Sequence, residues 1–187
     1  MSVLSEVSIC NSALIKLGHE RINSLSEDNK AAILCNERYP FCRDEVLREH
    51  PWNFAIKRAS FAKLVSTPAF EYQNEFQIPS DCLRIWQPED NEIVFVVEGG
   101  KVLTDEGTFK CRYISRVTNP ALFDRSFAEA LAFRLAADIG YALTQSSQLQ
   151  QSMLAMYEVK LRMARSIDAQ EGTPEEIIAD SWIKDRF

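Results

Sequence analysis

The sequence lacks the glycine-rich loops that cradle phosphates. There is no GxxxxGK[ST] and no GxGxxG, and Gly99-Gly100 reads as a hairpin turn. Histidine is scarce: His19 and His50 are the two present. Both fall at helix ends in loop-like contexts, with no serine or cysteine in a local catalytic signature around them. Hydrogen bonding or charge at a helix end accounts for them. The five cysteines, Cys10, Cys35, Cys42, Cys82 and Cys111, form no CxxC pair and no Cys/His cluster of zinc spacing, so they read as free, buried thiols. No window approaches the ~18 consecutive apolar residues of a membrane span. The opening MSVLSEVSICNSALIKLG has no basic flank leading into an apolar run, so no signal peptide is expected. An excess of basic charge is also missing. With 21 Lys and Arg against 27 Asp and Glu, the net charge is −6. That balance argues against a dedicated nucleic-acid binder, though not against a surface that DNA passes without sticking.

Carboxylates are plentiful, and Glu71, Glu75 and Asp81 flank aromatic strand-like runs. Glycoside hydrolysis needs two carboxyls about 5–9 Å apart, one with a raised pKa. Among 27 acidic residues some pair always meets the spacing, so nothing singles these out. The basic residues are dispersed as Lys57 and Arg58, Lys110 and Arg112, and Arg162 and Arg165. The last two lie among polar residues on the outer side of the last long helix. That face is a solvated one, or in an assembly a subunit contact. No catalytic, cofactor-binding or metal-binding set emerges.

What is present is a chain of 187 residues, one domain or one domain with an insertion, long enough to bury a core without disulfides or metals. Val3, Val7, Cys10, Leu14 and Leu17 recur at helical steps over residues 3–17, and Gly18 stands where a left-handed cap is wanted. Ser26, Glu27 and Asp28 suit the start of a second helix running to about Glu49, with Cys35, Tyr39, Cys42 and Val46 on one face. Pro40 predicts a kink or break near Tyr39, and His50-Pro51 ends the element. From Trp52 the texture changes to short aromatic and β-branched runs: 54–64, 72–78, 82–87, 93–97, 101–104 and 109–114. They predict a small antiparallel unit of roughly four to six strands. Helix returns from about Ala121 to Thr144 on Phe127, Leu131, Leu135, Ile139 and Ala142. A fourth helix, from about Ser147 to Glu171, turns Leu149, Met153, Met156, Tyr157, Leu161, Ala164 and Ile167 inward. After Gly172-Thr173-Pro174, Thr173 and Glu176 have capping-box spacing. The tail then carries Ile177, Ile178, Trp182, Ile183 and Phe187, which either fold back onto their own domain or anchor in a neighbour.

The expected fold class is α+β. It comprises an antiparallel four-helix bundle, each helix with a single apolar stripe, a small antiparallel β insertion between helices two and three, and an extended C-terminal tail. The expected division is 1–50 and 119–172 for the bundle, 51–118 for the insertion and 173–187 for the tail.

Three stretches, taken together, resemble a family. Residues 43–64, RDEVLREHPWNFAIKRASFAKL, carry Arg43, Asp44 and Leu47 followed by Pro51, Trp52, Asn53, Phe54 and Ala55. Residues 76–86 read FQIPSDCLRIW, and residues 119–144 read NPALFDRSFAEALAFRLAADIGYALT. In order and spacing they are similar to the head–tail adaptors of short-tailed bacteriophages, the tail tubular protein A and tail accessory factor families. The resemblance implies a non-enzymatic virion protein of the phage neck, made in the host cytoplasm. It further implies a homo-oligomeric ring, a dodecamer, docked beneath the portal protein and above the tail tube or nozzle protein. Double-stranded DNA would pass through its lumen during ejection without sequence-specific binding, with no membrane partner and no cofactor. By the same resemblance the tail residues Ile177, Ile178, Trp182, Ile183 and Phe187 reach the portal. Trp52 and Phe54 mark the switch from helices to strands, where large aromatics fill the joint between layers. A peptidoglycan-degrading tail component and a head-completion protein of a long-tailed phage are the alternatives.

Overall fold

The computed structural model describes residues 4–171. Helix α1 spans Glu6–Lys16, opened by a reciprocal box in which Ser5 and Ser8 cap each other's backbone. At its end Gly18 takes φ +70°. The Gly18 amide donates to Ile15 O at 3.0 Å and the His19 amide to Leu14 O at 2.9 Å, which closes the last turn as a Schellman motif.

Helix α2 spans Lys30–Glu49. Its cap is Asn29, whose side chain accepts from the Ala32 amide at 2.8 Å, so the helix starts after Ser26, Glu27 and Asp28 rather than on them. Glu27 is drawn back into the preceding loop, accepting the amides of Asn23 and Ser24 at 2.6 and 3.0 Å. The helix passes through Pro40 without a break. Pro40 and Asn36, the residue whose carbonyl loses its amide partner, both face solvent, where hydration can replace the missing bond.

The strands are β1 (Ile56–Lys63), β2 (Asn74–Gln77), β3 (Cys82–Pro88), β4 (Phe95–Glu98), β5 (Lys101–Thr104) and β6 (Phe109–Ser115). They form one antiparallel sheet in the order β3-β6-β1-β2-β5-β4, curled as a half-barrel. Gly99 and Gly100, at φ +54° and +75°, turn β4 into β5 as a tight hairpin. Strand β1 joins the two halves: Ile56 to Phe61 pair with β6, and Ala62 and Lys63 pair with β2. Phe61, Phe76, Val102, Phe109, Cys111 and Tyr113 form a core belonging to the sheet itself.

Helices α3 (Arg125–Thr144) and α4 (Ser147–Gln170) follow. A short 3-10 turn at Pro120–Leu122 precedes α3, and Asp124 caps it by accepting from Ser126 and Phe127, so the helix begins later than Ala121. The four helices do not form the expected four-helix bundle. Helix α3 is central and α1, α2 and α4 pack around it. Its burial explains this. Leu131, Leu135 and Ile139 are buried on one side, and Ala130, Phe133, Ala137 and Gly140 on the opposite side. A helix buried on two opposite sides is flanked by its neighbours instead of sharing a single stripe with them, and Arg134 and Asp138 keep the remaining side polar. Gly140 marks a close approach: a Cβ there would stand 3.3 Å from Leu17 Cδ2 and 3.8 Å from Gln150 Cα. Nor is the β part a minor insertion, since a six-stranded half-barrel with its own core makes up 20% of the described residues.

Candidate assembly surfaces

The joint between helices and sheet is built from aromatics. Trp52 is fully buried, and its indole N–H donates to Val46 O at the end of α2 at 3.0 Å. Its ring meets His50 edge-on at 4.8 Å and Phe127 of α3 at 5.1 Å. Phe54 lies 5.0 Å from Phe127 and 5.7 Å from Phe123. The PWNFA stretch thus locks the end of α2, the start of α3 and the entry to β1 into one cluster. Ser115 Oγ, at the end of β6, closes the same joint by donating to Ala55 O at 2.9 Å.

A buried carboxylate that the sequence does not advertise completes it. Asp168, in the last turn of α4, accepts the Asn53 amide at 3.0 Å and meets His50 Nε2 at 3.2 Å. Asn53 Nδ2 donates to Asp168 O at 2.7 Å. Burial holds the His50 pKa below its ordinary value, against the opposing pull of Asp168. About three turns earlier on α4 the Tyr157 hydroxyl donates to Glu49 Oε1 at 2.9 Å, and about one turn earlier Arg165 pairs with Glu49 Oε2 at 3.0 Å. The two arginines of α4 therefore differ: Arg165 is half-buried and engaged within its own chain, whereas Arg162 is exposed. The inner face of α4 is Tyr157, Leu161, Ala164 and Asp168, while Met156 and Ile167 point outward, contrary to the sequence reading. Ile177, Ile178, Trp182, Ile183 and Phe187 lie outside the described residues.

Of the dispersed basic residues, the sheet brings three together. Arg58 of β1 stands directly across from Arg112 of β6, and Lys110 is two residues along the same strand. With Gln87 and Glu89 they line a shallow groove. Lys110 pairs with Glu89 at 3.1 Å, and Arg112 donates to Gln87 Oε1 at 3.3 Å. The Lys110 charge is therefore answered locally by a carboxylate, whereas Gln87 offers Arg112 a neutral acceptor.

Glu75 and Asp81, two of the carboxylates considered for hydrolysis, have the wrong electrostatics for a general acid. Lys101 and Ser66 hold Glu75 below its ordinary pKa, and Lys57 does the same for Asp81. The cysteines are free: four are buried and Cys82 is half-buried. Burial pushes Cys42 and Cys111 up to about 12 and Cys82 up to about 11, away from thiolate chemistry at neutral pH. Among the described residues no three His, Cys, Asp or Glu side chains converge on a metal position, and no helix is long and apolar enough to cross a membrane. The sequence matches no protein-family model and no curated protein.

Proposed function

We propose that the chain is a structural head–tail adaptor of a short-tailed phage. In this reading it is one subunit of a ring that joins the portal to the tail tube or nozzle and lets DNA through. The observation that carries it is the set of three stretches resembling that family, considered with where they lie. PWNFA supplies the aromatic joint and FQIPSDCLRIW supplies the second half of β2, the following turn and most of β3. NPALFDRSFAEALAFRLAADIGYALT supplies the central helix with its cap. These motifs specify a scaffold, as expected where the recurring feature is a shape to be assembled and not a reaction. In this role the apolar side chains of residues 173–187 anchor in the portal.

Mixing the purified protein with the portal of the same phage tests it, read by sedimentation and negative-stain imaging. The expected result is a defined ring on the portal, lost when residues 173–187 are deleted. No complex with the full-length protein would overturn the adaptor role. Undiminished binding by the truncated protein would overturn the role of the tail.

A further inference from the structure

Helix α4 carries a wider apolar arc than its own chain covers. Tyr157, Leu161 and Ala164 face α3, and half-buried Met153 continues the arc outward. Beyond it Met156, Val159, Met163 and Ile167 stand in solvent at helical spacing, with Met163 54% exposed. Eleven residues separate the ends of this strip, roughly 16 Å along the axis. Helix α2 has a second strip on the side away from its core. Ile33 and Phe41, the latter 66% exposed, lie eight residues or about 12 Å apart, with Glu37 between them. A contiguous apolar strip on an otherwise polar helix, as on α4, marks an interaction site; on α2 the two apolar side chains are interrupted by Glu37, and the Arg38 guanidinium lies over the Phe41 ring at 5.3 Å.

One pair of charges beside the strips is complementary, and Arg38, the cation next to Phe41, is already paired with Asp138 of its own chain. Arg162 borders the α4 strip and Glu37 sits within the α2 strip; both are exposed, and neither has a partner among the described residues. Packing α4 on another α4 would bring Arg162 and Lys160 near their own copies, and packing α2 on α2 would bring Glu37 near itself. Unlike strips fit better than like ones. Within one chain they cannot meet, because Ile33 and Phe41 lie on the side of α2 opposite Cys35, Tyr39, Cys42 and Val46, which pack into the chain's own core.

We infer that the outer face of α4 on one copy of this chain docks on the outer face of α2 on the next. Met156, Val159, Met163 and Ile167 cover Ile33 and Phe41, and Arg162 faces Glu37. The contact is heterologous, so a pair of copies keeps one free α4 strip and one free α2 strip, and repetition closes into a ring where the rotation permits. This deepens the adaptor reading and rests on it for the ring; the pairing of the strips stands on the two faces alone.

Sedimentation of the full-length protein without portal, over a concentration series, tests the contact. Wild type should associate beyond a dimer as concentration rises. Met163→Glu and Phe41→Glu, both exposed substitutions whose melting curves serve as the folding control, should each need about tenfold more protein or fail to associate. Mixed together, they should give a one-to-one dimer that grows no further, because one retains an intact α4 strip and the other an intact α2 strip. Arg162→Glu and Glu37→Arg should each weaken association, and the double variant should recover it. A wild type that stays monomeric throughout, a mixture that stays monomeric or grows past a dimer, or charge variants that associate like wild type would overturn the interface. Portal binding is measured separately, so loss of this contact with an intact portal complex would leave the adaptor role standing.

Discussion

Replacing Asp168 with alanine removes the clasp that fixes the end of α4 to the helix–sheet joint. The carboxylate accepts the Asn53 amide at 3.0 Å and meets His50 at 3.2 Å, and its side chain is 7% exposed. A hydrogen bond to a charged group contributes roughly 1.5–3 kcal/mol, so two such bonds set a high ceiling. Two effects lower it. Asn53 is exposed, so its freed amide finds water. The carboxylate also sits in the last turn of a helix, where the dipole opposes negative charge by about 0.3–1 kcal/mol, and alanine relieves that. The net loss should be about 1–2 kcal/mol. At about 2–4 °C per kcal/mol for a chain of this size, melting should fall by roughly 3–6 °C. Urea denaturation followed by circular dichroism measures it, with Asp168→Asn, which keeps one acceptor oxygen, expected to fall between. Stability within about 0.5 kcal/mol of wild type, the ordinary scatter of surface substitutions, would refute the clasp.

His50 adds a pH dependence to the same joint. Its folded-state pKa lies below the ordinary 6.5, so on acidification the unfolded chain takes up a proton before the folded one does. Stability therefore falls as pH drops below about 6.5, down to the folded-state pKa, and is level above. A urea midpoint that is flat across that window would contradict it, and His50→Gln should flatten it. Trp52→Ala should cost about 3–5 kcal/mol in urea unfolding, through lost packing and an orphaned Val46 carbonyl, and Trp52→Phe clearly less. Pro40→Ala should raise stability by about 1–2 kcal/mol. It restores a helical amide at an exposed site, partly offset by greater freedom of the unfolded chain; a lower denaturation midpoint would count against an unstrained α2.

The local punctuation was the most legible part of the sequence. Gly18, the Gly99-Gly100 hairpin and the six strand-like runs are dictated by neighbours in the chain, and the strands lie close to where those runs place them. The helical arrangement was harder because of alanine. Reading α3 from Phe127, Leu131, Leu135 and Ile139 shows a stripe. Its opposite side of Ala130, Ala137 and Gly140 is equally buried, yet small residues give little hydrophobic signal while permitting the closest packing. Helix α4 misleads in another way, since it carries two overlapping apolar periodicities. The buried one ends on Asp168, a residue that looks solvent-facing until His50 and Asn53, more than a hundred positions earlier, are brought to it. Arg165 was legible as a charge but not as Glu49's partner, for the same reason of separation. Trp52 and Phe54 were legible as a joint because large aromatics at a change of periodicity must be buried somewhere.

The way β1 divides its pairing has a dynamic consequence. Between β1 and β2 the ladder amounts to Ala62 with Gln77 and Lys63 with Phe76, continued by the Leu64 amide donating to Glu75 O at 2.8 Å. The outer three strands are otherwise held by ring contacts such as Phe76 and Phe95 against Phe109, at 6.1 and 5.2 Å. Side-chain contacts of this kind slide more readily than a backbone ladder shears. Amides of β4 and β5 should then exchange with deuterium ahead of those shared by β1 and β6, so the sheet opens from its distal half and leaves the half beside the helices intact.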